Sequence, residues 1–151
     1  MIRKIDLKNR EEVFLLLDLQ SMSYVVEARL IGFHDIPPLH DTIHSLQQSE
    51  ETFYGYFIEG QLVGAISFKK IGDLADICRL MVHPDHFRKG IASSLLRFLE
   101  KSSDGIRRLT VMTGAKNAPA IKLYRKLGFI EVEQNNVVPG VPMVVFNKNV
   151  E

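Results

Sequence analysis

Apolar and polar residues alternate from Ile2 to Leu7, which predicts a short, half-buried strand. Asn9 then offers a helix cap with Glu12 in the first turn. Val13, Leu16, Leu17 and Gln20 trace one face of a helix that the pattern carries to about Met22. Between Tyr24 and Leu46 the periodicity is lost. Glu27, Arg29, Gly32, Phe33, His34 and Asp35 stand there beside the Pro37-Pro38 break, and a short helix is predicted from Leu39 to Gln48. This mixture reads either as a segment covering a site or as a plain connection packed on the sheet.

Strand patterns return at Phe53 to Glu59, Leu62 to Lys70 and Leu74 to Val82, joined by turns at Gly60 and Gly72. They predict an antiparallel meander of three strands. A helix follows from Gly90 to about Ser102, with Ile91, Leu95, Phe98 and Leu99 on one face. Arg107 to Met112 is β-rich. Asn117 to Gly128 has a capping residue, Pro119 in the first turn and a glycine stop. Phe129 to Glu133 and Val141 to Phe146 close the chain around Pro139-Gly140. The order predicts one layered α/β domain over residues 1–151, with a parallel strand-helix-strand crossover between about residues 74 and 112. In such sheets ligands sit at the carboxyl ends of strands, beside helix N-termini. Gly90 and Asn117 both lie at such places.

Composition narrows the function classes. Apolar residues at 46% and charged residues at 25% are ordinary for a globular chain, and the net charge is +1. From Pro84 to Gly128, however, ten Lys/Arg face three acids, a local balance of +7. Such a segment suits a compact polyanion better than a nucleic-acid duplex, and no run of surface aromatics is expected to interleave with it, so no nucleic-acid partner is expected. The only cysteine, Cys78, lies in a predicted strand and reads as a buried, inert thiol. His40 and His44 stand four apart without a wider ligand frame, so no metal site is expected. No signal-like apolar core follows Met1 and no run is long enough for a membrane span, which implies a cytoplasmic protein.

Two short stretches carry the chemistry. In Val82-His83-Pro84-Asp85-His86-Phe87-Arg88-Lys89-Gly90-Ile91-Ala92-Ser93, a strand gives way to a basic, glycine-bearing loop and then a helix. Free N–H groups and a positive helix end would converge there, as phosphate binding requires. The same pattern also fits an ordinary connection with a solvated basic tip. In the second stretch, Asn117, Ala120 and Tyr124 fall on one helix face before Gly128-Phe129.

Taken together, these stretches resemble the GCN5-related N-acetyltransferase (GNAT) family. Phe87 to Ala92 match its Q/R-x-x-G-x-G/A loop, except that Phe87 stands where the family has Gln or Arg and the arginine is displaced to Arg88. Asn117, Ala120, Tyr124, Gly128 and Phe129 satisfy N-x-x-A-x-x-x-Y-x-x-x-G-F in full. The resemblance implies a mixed sheet of six to seven strands with helices on both faces. It implies acetyl-CoA as co-substrate, no metal, direct attack of a small-molecule or peptide amine on the thioester, and leaves a homodimer open. Leu80, Met81 and Val82 would pair with the pantetheine arm. Phe87, Arg88, Lys89, Gly90, Ile91, Ala92, Ser93 and Asn117 would hold the cofactor, and Tyr124 would protonate the leaving thiolate.

Family members often carry a glutamate where Cys78 stands. Asp76 is therefore the candidate base, directly or through water, with Glu27, His34 and Asp35 as alternatives; the same three, with Cys78, are candidates for the acceptor side. The missing strand glutamate also leaves a non-catalytic acyl-CoA sensor as the alternative reading.

Overall fold

In the computed structural model, residues 1–32, 40–102 and 105–150 are described. Among them, strands β1 (Ile2–Lys4), β2 (Thr52–Ile58), β3 (Gln61–Ile71), β4 (Leu74–Val82), β5 (Arg108–Gly114), β6 (Ile130–Val138) and β7 (Val141–Asn149) form one sheet. Its order is β1-β2-β3-β4-β5-β7-β6, and every neighbouring pair is antiparallel except β4 and β5. The predicted mixed sheet and parallel crossover are therefore present.

The helices are α1 (Arg10–Ile31), α2 (Ile43–Gln47), α3 (Ile91–Ser102) and α4 (Ala118–Lys126). Two buried apolar clusters show how they are layered. Ile91, Leu95, Leu99 and Tyr124 of α3 and α4 pack with Ile66, Ile77, Val111 and Phe146 of the sheet. Val13, Leu16 and Leu19 of α1 and Leu46 of α2 pack with Phe53, Ala65 and Met81 from its opposite face. Alternation along β2 to β4 serves both clusters, because successive side chains point to opposite faces. None of the described helices is long and apolar enough to cross a membrane.

Helix α1 corrects the predicted boundary. It starts where expected, with Asn9 Oδ1 accepting from the Glu11 and Glu12 amides at 3.0 and 3.3 Å. It then continues to Ile31, nine residues beyond the predicted end at Met22, and is closed by Gly32 at φ +72°. Past Met22 the buried face runs on through Tyr24 and Ala28, an aromatic and a small residue that do not extend the aliphatic stripe of Val13 and Leu16. Tyr24 and Glu27 are thus helical rather than part of a loop. The predicted helix at Leu39 to Gln48 shortens to Ile43–Gln47 behind a Thr42 cap.

Two local features set the position of the site. A Cβ on Gly64 of β3 would lie 2.6 Å from Ile91 Cγ2, so the glycine lets the start of α3 sit directly on the sheet. In β4, Ser67 pairs with Arg79 and Phe68 with Ile77, which leaves Cys78 as an extra, bulged residue.

Candidate active site

β4 and β5 run side by side only from Leu74/Arg108 to Ile77/Val111. Beyond that level β4 stays with β3 up to Val82, while β5 stays with β7 to Gly114. A gap therefore opens between the carboxyl ends of the two parallel strands, starting at the Cys78 bulge. A bulge bends its strand and raises the local twist, which accounts for the parting.

The loop after β4 lies at the mouth of this gap. Pro84–His86 form a 3-10 turn in which the His86 and Phe87 amides donate to His83 and Pro84 carbonyls at 2.9 and 3.3 Å. Arg88 and Gly90 both adopt left-handed backbone, φ +65° and +77°. The α3 ladder begins with Ser94 N–H donating to the Gly90 carbonyl at 3.0 Å. Within the described residues the amides of Arg88, Lys89, Gly90, Ile91, Ala92 and Ser93 have no protein acceptor. Alternating left- and right-handed residues ahead of a helix turn such amides toward one point, an anion-binding nest. Nothing lies within 4 Å of a Cβ placed on Gly90, so the backbone there can be approached closely. Phe87 differs from its neighbours: its amide is already used and its ring is exposed.

The basic segment does not act as one patch. Arg108 pairs with Asp73 at the opposite end of β4, at 3.1 Å, and Arg125 lies 3.7 Å from Glu131. Arg88 and Lys89 stay at the loop, with Lys89 Nζ 3.3 Å from His86 Nδ1.

The second motif is a helix with each end specified by sequence. Asn117 Oδ1 accepts from the Ala120 amide at 3.3 Å, capping α4. Gly128 at φ +91° ends it, and the Phe129 amide returns to the Tyr124 carbonyl at 2.9 Å. That closure brings the Phe129 ring to 5.5 Å from the Tyr124 ring, with Phe146 at 5.7 Å on another side. Tyr124 is thereby held buried, and its hydroxyl makes no hydrogen bond within the described residues. Burial first, and the Glu27 carboxylate second, push the phenol well above its usual range.

Glu27 belongs to α1, on the far face of the sheet from α4, yet its Oε1 accepts from Asn117 Nδ2 at 3.3 Å. This contact crosses the plane of the sheet and can form only where β4 and β5 have parted. Asn117 Nδ2 also lies 3.4 Å from Thr113 Oγ1. Burial raises the Glu27 carboxyl above its ordinary value, and the Asn117 hydrogen bond offsets only part of that rise. Tyr24, one helical turn earlier, is likewise raised, first by burial and then by Glu27 and Tyr124. Two phenols, Tyr24 on the same helix and Tyr124 on α4, are therefore influenced by one half-buried carboxylate.

The other candidates are distributed differently. Asp76 and Cys78 share a shallow depression of ≈ 350 Å³ with Thr110 and Met112, and neither is among the groups acting on the Tyr124 hydroxyl. Cys78 corrects the expectation of a buried thiol: as the bulged residue it is exposed. Its sulfur is still partly shielded, and that desolvation, with Glu51 and Asp76 nearby, pushes the thiol up to about 11 and leaves it protonated. Burial also raises Asp76, against the pull of Lys69. Leu80 and Met81 line β4 beside the gap, and the Val82 amide is held by Ser23 Oγ at 3.3 Å. His34 and Asp35 lie outside the described residues. No group of three or more His, Cys, Asp or Glu side chains among the described residues is placed to hold a metal ion.

Sequence reasoning missed one large feature beside the bulge. Arg79 donates from Nε and Nη2 to the two Glu51 oxygens at 2.9 and 3.0 Å, and from Nη1 to Asp41 at 2.6 Å and Gln20 at 2.7 Å. Ser67 and Ser45 complete the shell with bonds to Glu51 and Asp41. This cluster ties α1, the start of α2, β2, β3 and β4 together. The buried Gln20 in an otherwise apolar stripe was its one visible trace.

A sheet parted between β4 and β5, with a helix start and an amide nest at the parting, defines a mixed-sheet domain with an anion-binding loop at its switch point. The fold is shared with the PaiA N-acetyltransferase from Thermoplasma acidophilum solved in complex with coenzyme A, at a TM-score of 0.77 and 22% identity over 99% of this chain and 98% of that one. Residues 15–129 match the Acetyltransferase (GNAT) family, and the chain belongs to that family. Among relatives, it is 39% identical over 132 residues to the UPF0157 protein YqkA of Bacillus subtilis, covering 87% of this chain. It is 39% identical over 79 residues, half of its length, to a streptothricin acetyltransferase of Escherichia coli. The chain spans 38% and 45% of those two relatives' own lengths.

Proposed function

We propose that residues 1–151 act as one acetyl-CoA-dependent N-acetyltransferase unit that moves an acetyl group to a primary amine of a small molecule or peptide. The observation that carries the reading is the run of six unpartnered amides, Arg88 to Ser93, at the mouth of the gap between β4 and β5.

The donor set suits a linked diphosphate: several N–H groups, a helix N-terminus, two cationic side chains and an open approach at Gly90. Bound there, the thioester carrier supplies an activated acetyl group, and its long handle converts remote binding into positioning. The edge of β4 at Leu80 to Val82 would meet the amide-bearing arm by strand-like pairing, with Ser23 Oγ yielding the Val82 amide. Tyr124 would donate its proton to sulfur as the C–S bond breaks. Its raised pKa keeps that proton in place before reaction, and the same dry surroundings raise the proton affinity of the departing thiolate. A relative of half this chain is a streptothricin acetyltransferase, which supports a small-molecule acceptor.

The test is thiol release by the full chain from acetyl-CoA, against streptothricin, aliphatic diamines and peptides with free N-termini. Release with at least one amine is expected. Tyr124→Phe should then lower kcat by roughly 100-fold while the coenzyme A Kd stays within about threefold. Binding of coenzyme A with no release for any amine would contradict transfer and leave a sensor.

A further inference from the structure

The sequence offers Asp76 as the first candidate base and Glu27 among its alternatives; the carboxylate that reaches Asn117 across the sheet is Glu27. From α1 it crosses the sheet plane to Asn117, the cap of the helix that carries Tyr124, beside Thr113. Within the described residues the 3.3 Å contact from Asn117 is its only hydrogen bond. A half-buried carboxylate with one long hydrogen bond retains acceptor capacity toward a cation entering the gap. Asp76 instead sits in an open depression with Cys78.

We infer that Glu27 is the residue that anchors the acceptor ammonium and takes its proton, so that the acceptor enters between α1 and α4. This rests on the acyl-transfer reading above. The step balances as follows. One ammonium proton passes to a Glu27 oxygen, the freed nitrogen pair forms the N–C bond, the C–S electrons leave with sulfur, and sulfur takes the Tyr124 proton; the second N–H proton, made acidic by N–C bond formation, passes through water to the Tyr124 phenolate and restores it. Glu27 returns its proton to water after amide release. The titratable and charged groups facing it from the described elements are Tyr24 on its own helix and Tyr124 on α4, with Arg79 of β4 near Tyr24. Both phenols are raised and stay neutral through the working range.

The experiment compares wild type, Glu27→Gln, Glu27→Asp and Asp76→Asn, using acetyl-CoA and whichever probe amine the wild type acetylates best. Coenzyme A Kd and melting temperature are measured on each. Glu27→Gln should lose roughly 100-fold or more in kcat/KM at neutral pH, with Kd and fold retained. Its rate should climb as pH approaches the free amine's own pKa near ~10, because only pre-deprotonated acceptor reacts. A merely structural role would not give that recovery, and Glu27→Asp should restore part of the rate. A Glu27→Gln enzyme with an unchanged rate and pH profile, or an equal loss confined to Asp76→Asn, would overturn the assignment while leaving acyl transfer intact. If wild type neither binds coenzyme A nor acetylates any probe, the underlying reading fails and this one falls with it.

Discussion

Two acidic sites on the α1 side of the sheet, built from three half-buried carboxylates, are treated in opposite ways. Glu51, beside Arg79, receives two guanidinium bonds and one from Ser67, and Asp41 receives bonds from Arg79, Gln20 and Ser45. Glu27, two turns further along α1 than Gln20, receives one bond of 3.3 Å. Desolvation is costly for all three. Around Arg79 the chain answers it with a full shell and so holds five elements in register. At the gap it leaves the carboxylate under-satisfied. The lesson is that saturated polar clusters are architecture, whereas a half-buried charge left short of partners marks where a ligand is meant to complete the shell.

The largest effect expected from this contrast is at Arg79. Arg79→Met strands Glu51 and Asp41 without their cation and should cost about 3–5 kcal/mol in urea unfolding. A loss below about 1 kcal/mol would mean that the cluster is no more than a surface pair. Next comes Gly64→Ala, whose Cβ would meet Ile91 Cγ2 at 2.6 Å at the base of α3. Overpacking there should cost about 1–3 kcal/mol and weaken coenzyme A binding in calorimetry, because the amide nest moves with α3. Gly90→Ala has open space, so its cost is the left-handed backbone alone, about 1–2 kcal/mol. Unchanged stability and affinity would show that the loop does not need φ +77°.

The smallest effect is the sharpest in sign. Because Glu27 titrates above its ordinary 4.5, burying its charge penalises the fold increasingly as pH rises through the raised value. Glu27→Gln should therefore melt higher than wild type at neutral pH and lose that advantage below pH 4.5. Asp41 behaves inversely. Burial alone would raise it, but Ser45, Gln20 and Arg79 outweigh burial and hold it below 3.8. Its contribution is present above that value and lost as pH falls through the lower, folded one, so Asp41→Asn should destabilise at neutral pH and not in strong acid. Thermal melts of both variants across pH read the two signs directly.

How much of this was legible in the chain follows from the range of the interactions. The α4 motif could be read because each residue acts within a turn or two: Asn117 caps, Gly128 stops, and Phe129 folds back on Tyr124. The meander and α3 were legible from alternation and 3.6-residue spacing. The Arg79 cluster was not, because its partners lie 59, 38 and 28 positions away. Glu27 could be offered only as one of several acceptor-side or base candidates from unreadable sequence, for the same reason. The opening between β4 and β5 depends on a bulge at Cys78, and a single extra residue in a strand leaves no mark on its hydrophobic pattern. β6 extends past Glu133 to Val138 because backbone pairing with β7, not side-chain alternation, sustains it.

The measurement that bears most directly on the account is a titration of the 15N-labelled full chain with coenzyme A, followed amide by amide. The largest shifts should fall on Arg88 to Ser93, with smaller ones at Val82 and along α4 near Tyr124. Shifts confined to other surfaces, or none at saturating coenzyme A, would contradict the assignment of the gap as the acyl-carrier site.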